Sequence, residues 1–388
     1  MNLSRTTKQF SESVIREMTR IARKYPGSIN LAQGFPDFSA RKEIKAAAIE
    51  AIKRDINQYS ITWGSQSLRE AIGRKVSWYN NLEIDPERMV TVTCGATEAM
   101  IASLKAVINP GDEVIIFEPF YENYGPDCLL SGANPRYVSL HPPSWDFHLD
   151  ELERVFTENT KAIIINTPNN PTGKVFSRKE LEQVINLCLQ HDCIAITDEI
   201  YEHIIYDGQE HVSIASLPEM HDHSITINSI SKTYSLTGWR VGWTLACEEI
   251  TAEIKKVHDF LTVGAPAPLQ EGAARALAME QGYYDWLSAF YSKARETIFN
   301  AIDAAGLHPI QPRGAYYIMC DCKEYMSSKA LHSSMDLAMN LLEEVGIATV
   351  PGESFFSRDG KGKSMTRFCF CKKEETLNRA VELLERLH

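Results

Sequence analysis

The sequence predicts an α/β protein in which a mainly parallel sheet lies between helices and is followed by a smaller α+β unit. Three observations lead to this prediction. Short apolar runs alternate with segments whose apolar residues recur at helical spacing, a pattern typical of strands covered by helices on both faces. The chain has 388 residues, which is enough for more than one hydrophobic core. Beyond residue 286 the alternation changes to fewer strands and longer helical segments.

The elements of the larger unit are justified by spacing and by turn residues. Helices are expected where apolar positions follow the 3.6-residue period, and strands where continuous apolar runs end at Pro, Asn or Gly. These helices are expected at 43–54, 66–79, 98–108 and 177–191, and the strands at 89–93, 113–117, 162–165, 193–197, 224–228 and 241–246.

The same criteria give the smaller unit and the domain boundaries. Its helices are expected at 283–304, 330–345 and 373–387, and its strands at 315–320 and 365–371. We therefore expect an N-terminal arm with part of the small domain over 1–44, a large domain over 45–285 and a C-terminal small domain over 286–388.

Composition excludes several classes of protein. The 40 Lys and Arg against 51 Asp and Glu give a formal charge of −11, with no basic block, which argues against nucleic-acid and anionic-membrane partners. No stretch approaches the roughly 20 apolar residues of a membrane span, and the first residues lack the apolar core of a signal peptide. The nine cysteines include no Cys-x-x-Cys pair, so we expect reduced thiols and a cytoplasmic location.

Two Cys-x-Cys pairs raise the question of a metal site. Cys320 with Cys322, and Cys369 with Cys371, each place both sulfurs on one face of a predicted strand. Zinc binding is one interpretation, and small buried side chains are the ordinary one. We expect no metal.

Polar turns follow several predicted strands, and ligands of open α/β sheets bind at these carboxyl ends. Gly95-Ala96-Thr97 opens a helix whose free N–H groups would suit a phosphate, although a plain strand-to-helix turn explains it equally well. Asp198 ends another predicted strand, where it is either a ligand-binding residue or simply the cap of a following helix. The segment 166–173, NTPNNPTG, has the composition of a structured turn.

The segment 229–242, SISKTYSLTGWRVG, is more specific than the other turns. Ser229, Ser231 and Arg240 together would hold a phosphate, and Lys232 would lie beside it with an amine available for imine formation. A solvated lysine in a Ser/Thr loop is the alternative, but it leaves the following Gly-x-Arg-x-Gly unexplained.

This segment resembles the lysine signature of class I, fold type I, pyridoxal-phosphate aminotransferases. Further turns match the same family in the same order, so the resemblance covers nearly the whole chain. They are QGFPDF (33–38), NQY (57–59), GAT (95–97), PFY (119–121), NPTG (170–173), DEIY (198–201) and RF (367–368). The phrase NLAQGFPDF (30–38) is most similar to the kynurenine, glutamine and methionine aminotransferase branch.

The resemblance implies a role for each residue around the cofactor ring. Lys232 is the expected Schiff-base lysine and proton carrier, and Asp198 is the expected partner of the protonated pyridine nitrogen. Tyr201 and Asn170 are expected to donate to the ring 3-oxygen. Tyr121 is expected to stack on the ring face.

The resemblance also implies how the cofactor phosphate is held. Ser229 and Arg240 would supply side chains, and Ala96 and Thr97 would supply N–H groups at a helix start. Tyr59 would reach the phosphate from a neighbouring subunit, so we expect a homodimer.

The substrate would be bound by its α-carboxylate. The resemblance implies that Arg367 clamps this group, with the backbone near Gly34 and the side chain of Asn170 beside it. The region 258–272 contains no Lys or Arg, which argues against an enzyme dedicated to dicarboxylic amino acids. Aromatic residues expected near the entrance suit an apolar side chain, or belong to the core; they are Phe35, Phe38, Tyr124 and Phe355.

We therefore expect a transaminase that moves the amino group of methionine, glutamine, kynurenine or an aromatic amino acid to a 2-oxo acid by ping-pong kinetics. Alternatives are cysteine-conjugate β-lyase activity on the same scaffold, an aspartate aminotransferase, and a regulatory sensor that keeps the fold. Regulators of this kind resemble an aminotransferase with a helix-turn-helix domain fused in front of it. Here the aminotransferase-like pattern begins by residue 30.

Overall fold

The computed structural model describes residues 2–358 and 360–387. Its centre is a seven-stranded sheet with the strand order β2-β8-β7-β6-β5-β3-β4. Within the described residues, the strands are β1 (Ile29–Asn30), β2 (Val90–Thr93), β3 (Glu113–Glu118), β4 (Asn134–Ser139), β5 (Thr160–Asn166), β6 (Ile194–Asp198), β7 (Ser224–Ser229), β8 (Gly242–Ala246), β9 (Tyr317–Asp321), β10 (Ile347–Ala348), β11 (Val350–Pro351) and β12 (Met365–Cys369).

Strand direction brings the ends of several strands to one edge of the sheet. Strands β3 to β7 run parallel, whereas β8 is antiparallel to both β7 and β2. The carboxyl ends of β2, β5, β6 and β7 therefore lie together. Because β8 is reversed, its first residue, Gly242, pairs with the last residues of both neighbours, Ser229 and Thr93.

Helices cover both faces of this sheet. Ile163 and Ile165 of β5 pack with α8 on one face, while Ile164 between them packs with α5 on the other. The helices in the described residues are α1 (Val14–Ala22), α2 (Lys42–Lys53), α3 (Gln66–Asn80), α4 (Pro86–Met89), α5 (Ala96–Val107), α6 (Tyr124–Ser131), α7 (Leu149–Val155), α8 (Arg178–Gln190), α9 (Glu248–Thr262), α10 (Ala267–Leu277), α11 (Gln281–Ala304), α12 (Lys323–Ser328), α13 (Ser334–Val345) and α14 (Glu374–Leu384).

The C-terminal part has its own antiparallel sheet, β11-β12-β9. Strand β1, from the N-terminal segment, pairs in parallel with β10. The sheet packs with α11, α13 and α14 around a core that contains Tyr291, Leu341 and Leu384. Strand β1 thus pairs with a C-terminal strand, whereas Ile15 and Met18 of α1 share a core with β3 and β5. The domain boundaries expected at residues 45 and 286 stay predictions.

The predicted fold class is confirmed, and most predicted elements lie within a few residues of the observed ones. The strand predicted at 365–371 ends at Cys369, and that predicted at 315–320 begins at Tyr317 and ends at Asp321. Several elements had no counterpart among the predicted ones: strands β1, β4, β10 and β11, and helices α1, α4, α6, α7, α9, α10 and α12. No helix within residues 2–358 and 360–387 is both long and apolar enough to cross a membrane.

Candidate active site

A cavity of about 750 Å³ lies at the edge where the parallel strands end. Its walls come from the turns after β2, β5, β6 and β7, from β12, and from residues beside α1 and α6. All the predicted site residues except Tyr59 line it. Those that do are Gly34, Ala96, Thr97, Tyr121, Asn170, Asp198, Tyr201, Ser229, Lys232, Arg240 and Arg367.

Lys232 extends from the turn after β7 into this cavity. Its Nζ donates a hydrogen bond to the carbonyl of Gly34 at 3.2 Å, and Tyr316 Oη donates to the same carbonyl at 3.0 Å. Burial lowers the pKa of the Lys232 amine to about 8, and the positive charges of Arg367 and Arg240 act in the same direction. Far more of this amine is therefore neutral, and nucleophilic, near neutral pH than of an ordinary lysine.

Asp198 is the last residue of β6, and its carboxylate is buried. Tyr124 Oη donates to Asp198 Oδ2 at 2.8 Å, and the N–H of Ile200 donates to Oδ1 at 3.4 Å. Burial raises the pKa of Asp198 to about 6, while both hydrogen bonds oppose this rise by favouring the ionised form. The site thus holds a buried carboxylate that can accept a hydrogen bond from a positively charged donor.

An anion cradle is built where α5 begins. Gly95 has φ +85°, and a Cβ on it would come 2.3 Å from Arg240 Nη2. Arg240 donates to the carbonyls of Thr237 at 3.0 Å and Cys94 at 3.3 Å, which fixes its guanidinium beside the helix start. The first N–H groups of a helix have no intrahelical acceptor, so those of Ala96 and Thr97 are available to an anion together with Arg240.

Arg367 is fully buried in β12, where it lines the cavity. Its Nη1 donates to Asn170 Oδ1 at 2.6 Å, and its Nη2 donates to the carbonyl of Ala32 at 2.7 Å. Its Nε finds no acceptor among the described residues. A buried guanidinium with an unpaired N–H and no facing carboxylate suits a carboxylate ligand.

Two tyrosines and a glycine complete the wall near Lys232. Tyr201 and Tyr317 share a hydrogen bond of 2.9 Å between their hydroxyls, and burial raises the pKa of Tyr201 well above its usual value, so it remains a donor. A Cβ on Gly34 would come 2.0 Å from Tyr317 Oη, so only glycine allows this close approach. Tyr121 lines the cavity edge-on to Tyr124, with ring centroids 5.7 Å apart.

Some side chains do not lie where their pattern suggested. Tyr59 is 85% exposed and does not line the cavity of its own chain. Phe38 packs against Phe290 in the C-terminal core, and Phe355 is fully buried beneath Arg367, so neither lines the entrance.

Three residues of the site have contacts or positions that the sequence did not predict. Tyr124 was interpreted as an entrance aromatic, but its hydroxyl donates to Asp198; it is the first residue of α6, and no local sequence pattern indicated this contact. Tyr317 lies on β9 next to Arg367 of β12, and strand alternation places both on one face. The third, Arg16, lines the cavity from α1, a helix absent from the predicted elements.

Comparison with known families decides which chemistry this geometry serves. The family described as aminotransferase class I and II matches residues 26–384. The chain belongs to this family. It is therefore a fold type I transaminase that uses pyridoxal 5'-phosphate to transfer amino groups between amino acids and 2-oxo acids.

The individual relatives are named for several different substrates. A kynurenine–oxoglutarate transaminase of Dictyostelium discoideum is 34% identical over 99% of this chain and 96% of its own. An aspartate aminotransferase of Pyrococcus abyssi is 36% identical over 97% and 95%. A solved structure from Escherichia coli, described as having a methionine aminotransferase function, covers 99% of both chains with a TM-score of 0.93 and 32% identity.

The residues of the cavity fit pyridoxal phosphate. The anion cradle at the start of α5 suits its phosphate, and the buried Asp198 carboxylate suits a protonated ring nitrogen. The Lys232 amine, with its lowered pKa, suits an aldehyde.

We predict that, as the pH is lowered, Tyr124→Phe loses cofactor binding at a higher pH than the native protein does. Without the hydroxyl that donates to Oδ2, the pKa of Asp198 rises, and the carboxylate becomes neutral at pH values where it is ionised in the native protein. Titration of cofactor-free protein with pyridoxal phosphate between about pH 5.5 and 8.5 measures the effect; we expect the midpoint to move up by about one unit.

Tyr137→Phe is the matched control, because its hydroxyl packs against Gly125 of the same helix without contacting Asp198. Identical pH profiles for Tyr124→Phe and the native protein would show that the hydrogen bond has no part in cofactor binding.

Proposed function

We propose that the cavity residues act together as a transaminase site in the roles given below. The observation that carries the proposal is their convergence: an amine of lowered pKa, a buried carboxylate and a buried, incompletely paired guanidinium line one cavity. They belong to Lys232, Asp198 and Arg367. Perturbed titratable groups that converge in one cleft are typical of catalytic sites.

Lys232 is proposed as the residue that binds the cofactor covalently and moves the proton. Pyridoxal phosphate, when bound, supplies an aldehyde that condenses with amines and a ring that withdraws electrons from the neighbouring carbon. A neutral Lys232 Nζ would take the proton from the substrate α-carbon and deliver it to the cofactor carbon that carries the aldehyde. Its lowered pKa favours this neutral form, and the Gly34 carbonyl accepts a hydrogen from Nζ and so orients it.

Asp198 is proposed to keep a proton on the ring nitrogen. Because its carboxylate is buried, it attracts a positive charge more strongly than an exposed carboxylate would. The hydroxyl of Tyr124 holds its Oδ2 in place. Tyr201 and Asn170 are proposed to donate to the ring 3-oxygen. Asn170 uses its Oδ1 to accept from Arg367, which leaves its amide N–H groups for a ligand.

The phosphate and the ring face are proposed to be held by the turns that end the strands. Ser229, Arg240 and the N–H groups of Ala96 and Thr97 would share the phosphate charge. Tyr121 is proposed to stack on the ring.

Arg367 is proposed to bind the α-carboxylate of each substrate in turn. Its free Nε and its hydrogen bond to the carbonyl of Ala32, two residues before Gly34, support this assignment. One site that accepts first an amino acid and then a 2-oxo acid implies ping-pong kinetics, since the two substrates occupy the same place.

The donor is proposed to be methionine, glutamine, kynurenine or an aromatic amino acid. Apolar side chains also line the cavity, and they include Ile15, Phe35 and Leu261. The segment 258–272 brings no cation to this wall. We further propose a cytoplasmic location, consistent with nine free cysteines.

We also propose that the enzyme is a homodimer in which Tyr59 completes the partner's site. Tyr59 and Phe260 are 85% and 92% exposed, and the hydrogen bond from Thr62 to Asp259 at 3.1 Å joins their segments into one apolar surface. Leu261, in the same surface, also lines the cavity. An apolar surface at the rim of the site suits a second copy of the chain, and C2 symmetry would make the contribution of Tyr59 mutual.

We predict that methionine, glutamine, kynurenine and phenylalanine are better donors than aspartate. A side-chain carboxylate would be desolvated against apolar residues, and we expect its kcat/KM to be at least about tenfold lower. The measurement is a panel of donors against 2-oxoglutarate, pyruvate and 2-oxo-4-methylthiobutyrate. A highest kcat/KM for aspartate would overturn the donor assignment and leave the transaminase assignment intact.

We predict that Lys232→Ala and Tyr59→Ala complement each other. A mixed dimer would carry one site with both changes and one with neither, so random exchange of equal amounts leaves about a quarter of all sites intact. Activity is measured at limiting pyridoxal phosphate, after exchange has been verified with differently tagged subunits. Mixing Lys232→Ala with Lys232→Ala/Tyr59→Ala is the control, because it yields no intact site. Activity of the test mixture no higher than that of the separate variants would place Tyr59 outside the partner's site.

A further inference from the structure

Three potential metal ligands meet beyond the end of β4, the edge strand of the seven-stranded sheet. His141 follows β4 by two residues, His148 directly precedes α7, and Glu151 lies in the first turn of that helix. One donor atom from each of these side chains lies within 4.8 Å of the other two. The cluster is separate from the cavity described above, because none of the three residues lines it.

His141 and Glu151 are already spaced like two ligands of one tetrahedral ion. His141 Nε2 lies 3.4 Å from Glu151 Oε2. Zinc holds nitrogen and oxygen ligands at roughly 2.0–2.2 Å, so two ligands at a tetrahedral angle lie about 3.4 Å apart. As a hydrogen bond, the same separation is long. The spacing of the two atoms therefore suits an ion between them better than a direct contact.

The third ligand comes from the ring of His148. This ring stacks on that of His141, with centroids 4.4 Å apart and planes 18° apart. Its nitrogens make no hydrogen bond to any residue that the structure describes, so they are available to an ion. Two imidazoles and one carboxylate form a donor set that zinc accepts in proteins, with water as the fourth ligand.

Backbone hydrogen bonds hold two of the ligands in this arrangement. The N–H of Ser139 donates to Glu151 Oε1 at 3.2 Å, which leaves Oε2 for His141 or an ion. The N–H of His141 donates to the carbonyl of Asp146 at 2.8 Å and so closes the turn between the two histidines. Hydrogen bonds that orient the ligand side chains are a regular feature of metal sites.

The charge of Glu151 is not neutralised by a basic side chain. No Lys or Arg among residues 2–358 and 360–387 lies within 4.0 Å of its carboxylate, and its one ion-pair partner there is an imidazole. A second cluster, Glu199 with Glu202 and His211, differs in this respect. Lys75 forms a buried ion pair with Glu202, so a metal would have to displace an ammonium group. The cluster at the end of β4 is therefore the better cation site.

We propose that His141, His148 and Glu151 bind one Zn²⁺ ion, which ties the turn between the two histidines to α7. Trp145 and Phe147 of this turn are buried in the same core as β3 and α8, so an ion that fixes the turn stabilises the folded protein. The site is structural and lies outside the transaminase reaction. The expectation of no metal rested on the Cys-x-Cys pairs, whereas these ligands meet only when the turn folds back onto α7.

The binding test titrates untagged, cofactor-loaded protein with Zn²⁺ in competition with a chromophoric chelator. We expect one ion per chain, and a dissociation constant at least about tenfold higher in His148→Gln and in Glu151→Gln, since loss of an orienting partner alone costs that much. His308→Gln is the matched control and should bind Zn²⁺ like the native protein. His308 Nε2 lies 3.3 Å from Glu324 Oε2, but the described residues bring no third ligand to that pair.

Two further measurements distinguish an ordered site from loose binding at the surface. Co²⁺ in place of Zn²⁺ should give the strong visible absorption of a tetrahedral ion in the native protein, and this band should be lost in His148→Gln. Saturating Zn²⁺ should raise the Tm of the native protein and of His308→Gln by about 3 °C, and leave that of His148→Gln unchanged.

Transaminase activity of the variants serves as the control for folding. It should stay within about twofold of the native value, because none of the substituted residues lines the cavity. The proposal is overturned if the native protein binds no Zn²⁺, or if His148→Gln and Glu151→Gln bind it as tightly as the native protein does.

Discussion

The direction of the sheet strands is the constraint on which the site depends. Four parallel strands, β2, β5, β6 and β7, end at one edge, and each contributes a polar turn there. The reversed strand β8 begins at that same edge, so Arg240, two residues before it, lies beside the start of α5. With β8 parallel to its neighbours, this guanidinium would lie at the far end of the sheet.

The local charge of the cavity differs from that of the whole chain. The protein carries a formal charge of −11, whereas the cavity is lined by four cationic side chains and four carboxyl groups. Desolvation in the cavity disfavours the charged form of both groups: it lowers the pKa of Lys232 to about 8 and raises the pKa of Asp198 to about 6. The buried Arg367 has one N–H group, at Nε, without an acceptor among the described residues. A bound ligand would supply the missing hydrogen-bond acceptor.

Sequence patterns predicted the strands that carry the site and the residues that follow them, because these features are local. Lys232, Asp198 and Asn170 lie within a few residues of apolar runs that are recognisable without tertiary information. The contact of Tyr124 with Asp198 and the position of Arg16 at the cavity were not predicted, because they depend on how α6 and α1 pack. Strand β4 was also missed: its alternating exposure and its early proline give no continuous apolar run.

The central claim is that Lys232 is the residue that holds pyridoxal phosphate covalently. Borohydride treatment of the cofactor-loaded protein, followed by digestion and mass spectrometry, locates the lysine to which the cofactor becomes irreversibly attached. We expect the label on the peptide that contains Lys232, with no attachment in Lys232→Ala. Attachment at any other lysine of the native protein would contradict the claim.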